Sequence, residues 1–296
     1  MRIAVTGQVG QVVTSLVERG AAAGHTVIAI GRPALDLADP AMVARALEAA
    51  APDVIVSAAA YTAVDKAESE SELAHTVNGR GAGAVAEAAK ALGVPLIHIS
   101  TDYVFDGTLG RPYVESDPTG PTGVYGASKL TGEQAVLAAH GDNSAILRVA
   151  WVYSPFGANF VKTMLRLAGD RDELGVVADQ VGNPTSALEI ADGILQVATN
   201  LVSDSNQALR GVFHMTASGE ASWADFAEAI FAASAAQGGP AARVRRITTA
   251  DYPTPATRPA NSRLDCGLIA KVHGVALPDW RQSLETVISR LQPAAN

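Results

Sequence analysis

Two residues near the middle of the chain have the types and the spacing of a proton-transfer pair. Tyr125 and Lys129 lie four positions apart, so a helix over 124–140 would place both side chains on one face, one turn apart. An ammonium group near a phenol favours the phenolate and lowers the pKa of the phenol. Such a tyrosine exchanges a proton with a substrate oxygen near neutral pH. We therefore predict Tyr125 and Lys129 as catalytic residues; the alternative is an exposed aromatic–lysine pair on a solvated helix.

A polar residue at the end of a predicted strand supplies a partner for this pair. Residues 95–100 read as an apolar strand, and Thr101 follows it directly. Ligands of doubly wound sheets bind beyond the carboxyl ends of the strands. Thr101 is therefore predicted to hydrogen-bond the same substrate oxygen as Tyr125.

The first turn of the chain has the composition of a phosphate-binding loop. Gly7 and Gly10 lie between a predicted strand over 2–6 and a predicted helix over 10–23. Glycines at this place let the backbone approach a pyrophosphate, and the helix N-terminus offers free N–H groups. The spacing is G-x-x-G, and Val13 stands where a third glycine is frequent. This context predicts nucleotide binding, with a plain tight turn as the alternative.

The residues after the second predicted strand bear on the choice of cofactor. Arg32 stands where an Asp or Glu would hold the ribose 2′-hydroxyl of NADH, and a guanidinium suits a 2′-phosphate. Arg32 therefore favours NADPH, with NADH and a solvated loop arginine as the alternatives. Asp36 is placed to flank the adenine. Leu35 and Leu37 either contact the adenine or belong to the core.

Strands and helices alternate regularly through the first half of the chain. Strands are predicted over 2–6, 26–30, 53–57, 95–100 and 144–150, and helices over 10–23, 41–50, 71–92 and 124–140. Strands that alternate with helices of about ten residues or more imply parallel pairing through βαβ crossovers. Near-continuous apolar strands fit a sheet covered on both faces. The predicted fold class is α/β, a doubly wound parallel (Rossmann) sheet with a smaller C-terminal substrate-binding lobe.

The second half of the chain is less regular. Helices are predicted over 158–168, 187–200, 222–236 and 279–290, with a strand over 211–216 and a loop over 251–262. We expect residues 1–150 to form the cofactor-binding domain and residues 151–296 to form mainly the substrate-binding lobe. We also expect residues from about 187 to 216 to pack back onto the first sheet.

The composition excludes several functional classes. The 296 residues are 48% hydrophobic and carry a net charge of −8, so the surface lacks the basic field of a nucleic-acid-binding protein. The lone Cys266 excludes an intrachain disulfide. No apolar run approaches the roughly 20 residues of a membrane span, and the first residues show no signal-peptide pattern. We expect a cytoplasmic protein with a small-molecule substrate and neither a nucleic-acid nor a membrane partner.

Several motifs resemble those of the extended short-chain dehydrogenase/reductases. They cover residues 6–12, 57–68, 100–107, 125–129, 148–153, 159–160, 179–185 and 252–262. Among these enzymes the chain resembles the family that reduces the 4-keto group of dTDP-6-deoxy-L-lyxo-4-hexulose to give dTDP-L-rhamnose. The resemblance covers nearly the whole chain. Its last two motifs lie outside the cofactor fold and therefore bear on the substrate class.

The resemblance implies a role for individual residues. It places at the cofactor Gly10, Gln11, Val12, Asp36, Leu37, Ala60, Tyr61, Thr62 and Lys129. It implies that Tyr125 donates the proton, that Lys129 lowers the pKa of Tyr125 and holds the nicotinamide ribose, and that Thr101 orients the keto oxygen. It also implies that Thr101, Asp102 and Trp151 contact the sugar nucleotide. Some members of the family have a metal-bridged dimer held by glutamates, but Ser15 offers no matching glutamate, so we predict no metal site.

Other residues have both a functional and a plain interpretation. Arg258, in the Pro-rich loop, is a candidate diphosphate clamp or an ordinary surface arginine. Trp151 is either a stacking wall or a core aromatic. We predict that His98 belongs to the core and that Trp223 and Trp280 pack at helix starts. The charged stretch 65–72 is interpreted as a solvated helix start.

Two further readings of the function stay open at this point. A nucleotide-sugar epimerase or epimerase-reductase needs extra acid–base groups, typically a Cys/His pair, and Cys266 lies far along the chain. A non-catalytic regulatory subunit, of the kind that binds methionine adenosyltransferase, would need the fold but not Thr101, Tyr125 and Lys129. The oligomeric state is not fixed by the sequence, and a homodimer is one alternative.

Overall fold

Short apolar runs build a central sheet in the structure, a computed structural model that describes residues 1–292. The strands are β1 (Arg2–Thr6), β2 (Thr26–Ile30), β3 (Val54–Ser57), β4 (Leu96–Thr101), β5 (Ser144–Val149), β6 (Val152–Tyr153), β7 (Glu173–Val177), β8 (Val181–Gly182), β9 (Thr185–Ser186), β10 (Gly211–His214), β11 (Ala217–Ser218), β12 (Ala221–Ser222), β13 (Arg243–Ile247) and β14 (Leu277–Asp279). The helices are α1 (Gln11–Ala22), α2 (Pro40–Ala50), α3 (Val64–Ala67), α4 (Ser71–His75), α5 (Gly81–Leu92), α6 (Val124–His140), α7 (Phe160–Ala168), α8 (Ala187–Ser203), α9 (Trp223–Ala236), α10 (Gly267–His273) and α11 (Trp280–Leu291).

Six strands pair in parallel in the order β10-β5-β4-β3-β1-β2. The chain runs from β1 to β2 on one side and returns to β3 on the other side of β1. In doubly wound sheets the crevice at this reversal, beyond the carboxyl ends of the strands, is where ligands bind. The predicted α/β class with a doubly wound parallel sheet is confirmed.

Helices cover both faces of this sheet. On one face α1 and α8 bury residues such as Val13 and Ile194 against β1 and β3. On the other face α2, α5 and α6 pack, and Leu47 and Val85 are fully buried there. Each fully buried side chain of this kind contributes about 1.5–3 kcal/mol to the free energy of unfolding. The sheet is thus held rigidly from both sides while its carboxyl edge stays open.

The later elements divide between this sheet and a second core. β10 extends the main sheet, with Val212 opposite Ile146, and α8 packs against α1. The helices α7, α9 and α11 enclose a separate apolar cluster around Phe226 and Trp280. The second core therefore lies beside the carboxyl end of β5.

The sequence analysis missed several strands, of which β7 and β13 are the longest. β7 and β13 form a separate parallel pair, with Leu174 opposite Val244. Leu174 and Val176 point inward while Glu173 is exposed and pairs with Arg243 at 2.7 Å. β7 is short and one of its faces is exposed to solvent, and its partner β13 is rich in arginine and distant in sequence. Neither strand therefore has an apolar pattern that is long enough to detect.

The helix predicted over 71–92 is present but interrupted. A π-helical turn, Thr76–Arg80, joins α4 to α5. Its Asn78 side chain is buried, accepts a hydrogen bond from the Tyr61 N–H at 2.7 Å and donates one to the Tyr61 carbonyl at 3.0 Å. Helix α6 lies directly against this turn, because a Cβ at Gly132 would come within 2.2 Å of the Asn78 carbonyl oxygen. The turn thus fixes the loop after β3 relative to α6.

The remaining predicted elements agree with the structure to within a few residues. The Pro-rich segment 251–262 contains no α-helix, as predicted, although its first residue, Asp251, ends a short 3-10 turn. Within residues 1–292, none of the helices combines the length and the apolar character that crossing a membrane requires.

Candidate active site

The loop after β1 presents an open helix N-terminus to the crevice. The Gly7 N–H donates to the Ile30 carbonyl at 2.7 Å and closes the loop against β2. No side chain caps α1 at Gly10, so the first N–H groups of the helix are free for an anion. A Cβ at Gly10 would meet only Val13, at 3.8 Å. The space beside the Gly10 Cα is therefore not filled by the described side chains, and it is large enough for a phosphate to approach the backbone closely.

Gln11 ties this loop to the second half of the chain. Its Oε1 accepts hydrogen bonds from the Ser154 hydroxyl at 2.9 Å and from Asn159 Nδ2 at 3.1 Å. Its Nε2 donates to the Val152 carbonyl at 3.4 Å. The Gln11 side chain is therefore engaged by the protein, which leaves its backbone N–H as the group available to a ligand.

The predicted adenine end of the site has one charged and several buried residues. Arg32 is exposed directly after β2, and its guanidinium makes no hydrogen bond or ion pair within the described residues. Asp36 is partly buried and accepts from the Ala38 N–H at 3.0 Å. Leu35 and Leu37 are 2% and 6% exposed and belong to the core on that face of the sheet. The core interpretation of the two leucine side chains is therefore confirmed, whereas Arg32 remains available to a ligand.

A cavity of about 530 Å³ continues from this loop along the carboxyl ends of the strands. Volumes in this range are typical of small-molecule sites. Predicted site residues that line the cavity are Gly10, Gln11, Val12, Ala60, Thr62, Thr101, Asp102, Tyr125, Lys129 and Trp151. Val13, Tyr103, Phe160 and Trp223 also line it. Tyr61 points elsewhere, because its hydroxyl donates to Glu70.

Tyr125 lies on the first turn of α6 with its ring bordering the cavity and its hydroxyl surrounded by protein. Burial and the nearby Asp102 carboxylate raise the pKa of Tyr125 to about 12, and a hydrogen bond with Thr101 opposes this shift. The prediction that Lys129 lowers the pKa of Tyr125 is wrong for this arrangement. A phenol with a raised pKa is protonated at neutral pH, and such a group can donate a proton.

Lys129 does not act on Tyr125 here because its ammonium group turns toward β4. The side chain is 3% exposed, and Nζ donates to the Ile99 carbonyl at 2.6 Å. His98 Nε2 lies 3.4 Å from the same nitrogen. Burial lowers the pKa of Lys129 to about 8, opposed by the Glu133 carboxylate. His98 is buried, as predicted, but it also contacts the candidate catalytic lysine.

Thr101 and Asp102 close β4 at the floor of the cavity. The Thr101 hydroxyl donates to Asp102 Oδ1 at 2.9 Å and accepts from the Tyr103 N–H at 3.2 Å. Asp102 is 3% exposed. Burial raises the pKa of Asp102 to about 6 against the effect of hydrogen bonds from Ser262 and Thr101. Although Ser262 is near, Asp102 Oδ2 makes no hydrogen bond of good geometry to any of residues 1–292, so this buried oxygen has capacity for a ligand.

The charged stretch 65–72 is more than a solvated helix start. Glu68 Oε1 accepts from the Val124 N–H at 2.9 Å and so caps the helix that carries Tyr125. Asp65 accepts two hydrogen bonds from Arg258, at 3.0 and 3.1 Å. These contacts join the loop after β3 to α6 and to the Pro-rich segment. The Arg258 guanidinium is not part of the described cavity lining, but it lies close enough to the cavity residue Tyr103 to act on its charge.

Two tryptophans form the far wall of the cavity. The rings of Trp151 and Trp223 stack with their centroids 3.6 Å apart, and Trp223 Nε1 donates to Gln180 Oε1 at 3.2 Å. Gly182 lies against Trp151, since a Cβ at Gly182 would come within 2.5 Å of Trp151 Cε2. Trp223 was predicted as a packing residue only, and its place on the cavity wall corrects that view. Nothing in the local pattern at Trp223 signals this role, because the stacking partner is distant in sequence.

The sheet order, the uncapped loop after β1 and the Tyr125–Lys129 pair on one cavity define a class. A doubly wound sheet with an open helix N-terminus at its carboxyl edge is typical of dinucleotide-binding enzymes. A family model described as the RmlD substrate binding domain matches residues 1–293, and the chain belongs to this family.

Several individual proteins are similar to this chain over nearly its full length. A dTDP-4-dehydrorhamnose reductase of Sinorhizobium fredii is 52% identical over 288 residues, 97% of each chain. The crystal structure of a dTDP-4-dehydrorhamnose reductase from Clostridium acetobutylicum superposes with a TM-score of 0.92 at 36% identity and covers 99% of this chain and 100% of its own. That of the Bacillus anthracis enzyme, in complex with NADP, has a TM-score of 0.89 at 34% identity and covers 97% and 98%.

The buried Asp102 carboxyl predicts a pH-dependent stability. In the native protein Asp102 keeps its proton up to about pH 6, whereas the unfolded chain releases it near the ordinary value. The burial of its charge therefore costs stability above pH 6, and this cost fades as the pH falls. We expect Asp102→Asn to raise the free energy of unfolding near pH 8 by about 1–3 kcal/mol, measured by urea denaturation.

The increase in the free energy of unfolding that Asp102→Asn produces should become progressively smaller toward pH 4. Asp170→Asn, on an exposed residue, serves as the control and should change little at any pH. A gain of equal size at pH 8 and at pH 4, or a loss at pH 8, would contradict the stated cause.

Proposed function

We propose that this chain reduces the 4-keto group of dTDP-4-dehydro-L-rhamnose (dTDP-6-deoxy-L-lyxo-4-hexulose) to dTDP-L-rhamnose with NADPH, the last step of dTDP-L-rhamnose biosynthesis. One observation carries the proposal. Tyr125, Thr101 and Asp102 lie on the same cavity as the uncapped phosphate loop. The similarity to reductases of this name across nearly the whole chain supports the substrate class.

The residues present fit a dinucleotide. The backbone at Gly10, Gln11 and Val12 would hold the pyrophosphate, with Gly7 shaping the turn. The Arg32 guanidinium would take the 2′-phosphate, and Asp36 and the backbone of Leu37 would border the adenine. Ala60, Tyr61 and Thr62 would line the nicotinamide half, with Tyr61 contributing its backbone. NADPH supplies the hydride when it is bound.

The chain's own residues manage the proton. Tyr125 is protonated at neutral pH because of its raised pKa, and it donates its proton to the C4 oxygen of the sugar as negative charge develops there. Thr101 donates a hydrogen bond to the same oxygen and stabilises that charge. Lys129 holds the ribose of the cofactor, and its positive charge then favours the tyrosinate that remains after proton donation.

The substrate would lie along the outer part of the cavity. Asp102 Oδ2 has free hydrogen-bonding capacity toward a sugar hydroxyl. Trp151, held by Trp223 and Gly182, supplies an apolar surface. Arg258 would pair with the diphosphate, since a guanidinium suits phosphate oxygens and its bonds to Asp65 hold it close to the cavity residue Tyr103.

We assign residues 1–150 to cofactor binding and residues 151–296 mainly to the substrate lobe. The pairing of β10 with β5 and the packing of α8 on α1 support placing residues from about 187 to 216 with the first sheet. A cytoplasmic setting, where NADPH is available, fits this activity. A homodimer stays a prediction.

The epimerase alternative has less support. A combined epimerase needs further acid–base groups beside the sugar, and Cys266 is absent from the cavity lining. The Thr216 N–H donates to its sulfur at 3.2 Å, and burial raises the pKa of the Cys266 thiol. An inert thiol in this place does not serve a second proton transfer.

Removing the Tyr125 hydroxyl tests the proton donor. We expect Tyr125→Phe to lower turnover by about 10²–10⁴-fold, the usual contribution of a positioned acid. The assay follows NADPH oxidation while the upstream dehydratase and epimerase convert dTDP-glucose to the ketosugar. Tyr153→Phe is the control, because it deletes a buried hydroxyl bonded to the Trp280 carbonyl outside the cavity. Normal turnover in Tyr125→Phe, or an equal loss in Tyr153→Phe, would refute the assignment.

Removing the Arg32 charge tests the cofactor preference. We expect Arg32→Ala to raise the KM for NADPH by about tenfold or more, since a charge-assisted contact to phosphate is lost, and to leave the KM for NADH unchanged. Arg45→Ala, on an exposed arginine of α2, should alter neither constant. Equal effects of Arg32→Ala on both cofactors would show that Arg32 does not read the 2′-phosphate.

A further inference from the structure

The candidate catalytic lysine has a carboxylate one helical turn away. Lys129 and Glu133 stand four residues apart on α6, a spacing at which oppositely charged side chains ordinarily pair. In the described part of the chain no ion pair joins them, and the nearest charged partner of Glu133 is Arg148 of β5. The arrangement therefore separates a lysine from its natural countercharge.

Glu133 is held completely by other groups. Arg148 Nε donates to Glu133 Oε1 at 2.9 Å, and Nη2 donates to Oε2 at 2.7 Å. The Ser100 hydroxyl also donates to Oε1. Glu133 and Arg148 are 2% and 4% exposed. A bidentate pair of this geometry, further bonded by a hydroxyl, satisfies both carboxylate oxygens.

The contacts of the Lys129 ammonium are uncharged. Nζ donates to the Ile99 carbonyl and faces His98 Nε2. Burial and the lysine charge hold the pKa of His98 well below its usual range, so the imidazole is neutral. His98 Nδ1 lies 3.1 Å from the Ser57 hydroxyl, an arrangement that leaves the Nε2 lone pair for the lysine. Among the described residues, the Lys129 ammonium thus has only uncharged groups in direct contact, and the Glu133 carboxylate acts on it from a greater distance.

We propose that Arg148 is a positioning residue of the reductase, which holds Glu133 away and leaves the Lys129 ammonium without a carboxylate partner. The proposal rests on the proposed function. A carboxylate beside the ammonium would cancel most of its field in this buried site and would compete with the cofactor ribose for its N–H donors. The ribose hydroxyls and Tyr125 would then meet an ammonium group whose partners, the Ile99 carbonyl and His98, carry no charge.

The groups that govern the pH dependence come from several elements. The Glu133 carboxylate acts on Lys129 along α6, and His98 contacts its ammonium group from β4. Asp102, after β4, acts on Tyr125. Arg148 also lies 3.5 Å from His214 of β10, where burial lowers the pKa of His214 to about 3. His214 is therefore neutral and does not substitute for Arg148 as a cation.

The test is a pair of variants compared by kcat and by pH profile. Arg148→Met removes the cation, so Glu133 turns to Lys129. We expect kcat to fall by about 10–100-fold and the basic limb of the kcat profile to move to higher pH, since an ion-paired lysine keeps its proton longer. Glu133→Gln combined with Arg148→Met removes both charges, and kcat should return to within about threefold of the original protein.

A second readout does not depend on turnover. NADPH binding, followed by quenching of tryptophan fluorescence, should weaken in Arg148→Met and recover in the double variant. Arg210→Met is the control, because Arg210 is a partly buried arginine bonded to Asn143 and to backbone carbonyls away from the cavity. It should lower stability without moving the pH profile or the NADPH affinity.

The outcomes separate the two proposals. A double variant that folds but is as impaired as Arg148→Met, or an Arg148→Met protein with an unchanged pH profile, overturns the role of Arg148. Absence of turnover in the original protein overturns the proposed function, while the NADPH-binding series still decides the role of Arg148. Where Arg148→Met does not fold, Arg148→Lys replaces it; the weaker, single contact to Glu133 should then give a smaller upward shift of the basic limb, which Glu133→Gln reverses.

Discussion

The buried ammonium group of Lys129, at the carboxyl edge of the parallel sheet, must keep its charge in a place where water does not stabilise it, and the surrounding residues make this possible. Lys129 is enclosed by α6 and β4, and burial alone would strip its proton or expel it. A carbonyl and a neutral imidazole stabilise its charge without cancelling it. The nearest carboxylate, Glu133, is occupied by Arg148. The main sheet, α6 and the Glu133–Arg148 ion pair together keep the positive charge of Lys129 available beside the cavity that Tyr125 lines.

The cavity depends equally on contacts between distant parts of the chain. Gln11 joins the phosphate loop to the segment after β6 through Ser154 and Asn159. Gly182 and Gln180 hold the stacked tryptophans from the opposite side. Residues of the motif 179–185 thus support the aromatic wall of the cavity. Contacts of this type join the loop after β1 and the tryptophan wall into one cleft.

Local patterns in the sequence were sufficient for the fold class and for much of the candidate site. Apolar strands alternating with long helices predict a parallel sheet, and the Tyr125–Lys129 spacing predicts a shared helix face. Features that depend on distant partners were not accessible. The stacking of Trp223, the pairing of β7 with β13 and the diversion of Glu133 to Arg148 each join segments far apart in the chain. The pKa of Tyr125 was misjudged for the same reason, because the direction in which Lys129 points is set by β4.

The central claim is that this cavity directs a hydride to the keto carbon of a deoxysugar nucleotide while Tyr125 delivers the proton. Deuterium transfer tests it most directly. NADPH deuterated at both C4 positions of the nicotinamide is incubated with the protein and the ketosugar, and the product is examined by NMR and mass spectrometry. The account predicts dTDP-L-rhamnose with a single deuterium at C4 of the sugar. Product without deuterium, deuterium at another carbon, or oxidised cofactor without rhamnose product would contradict it.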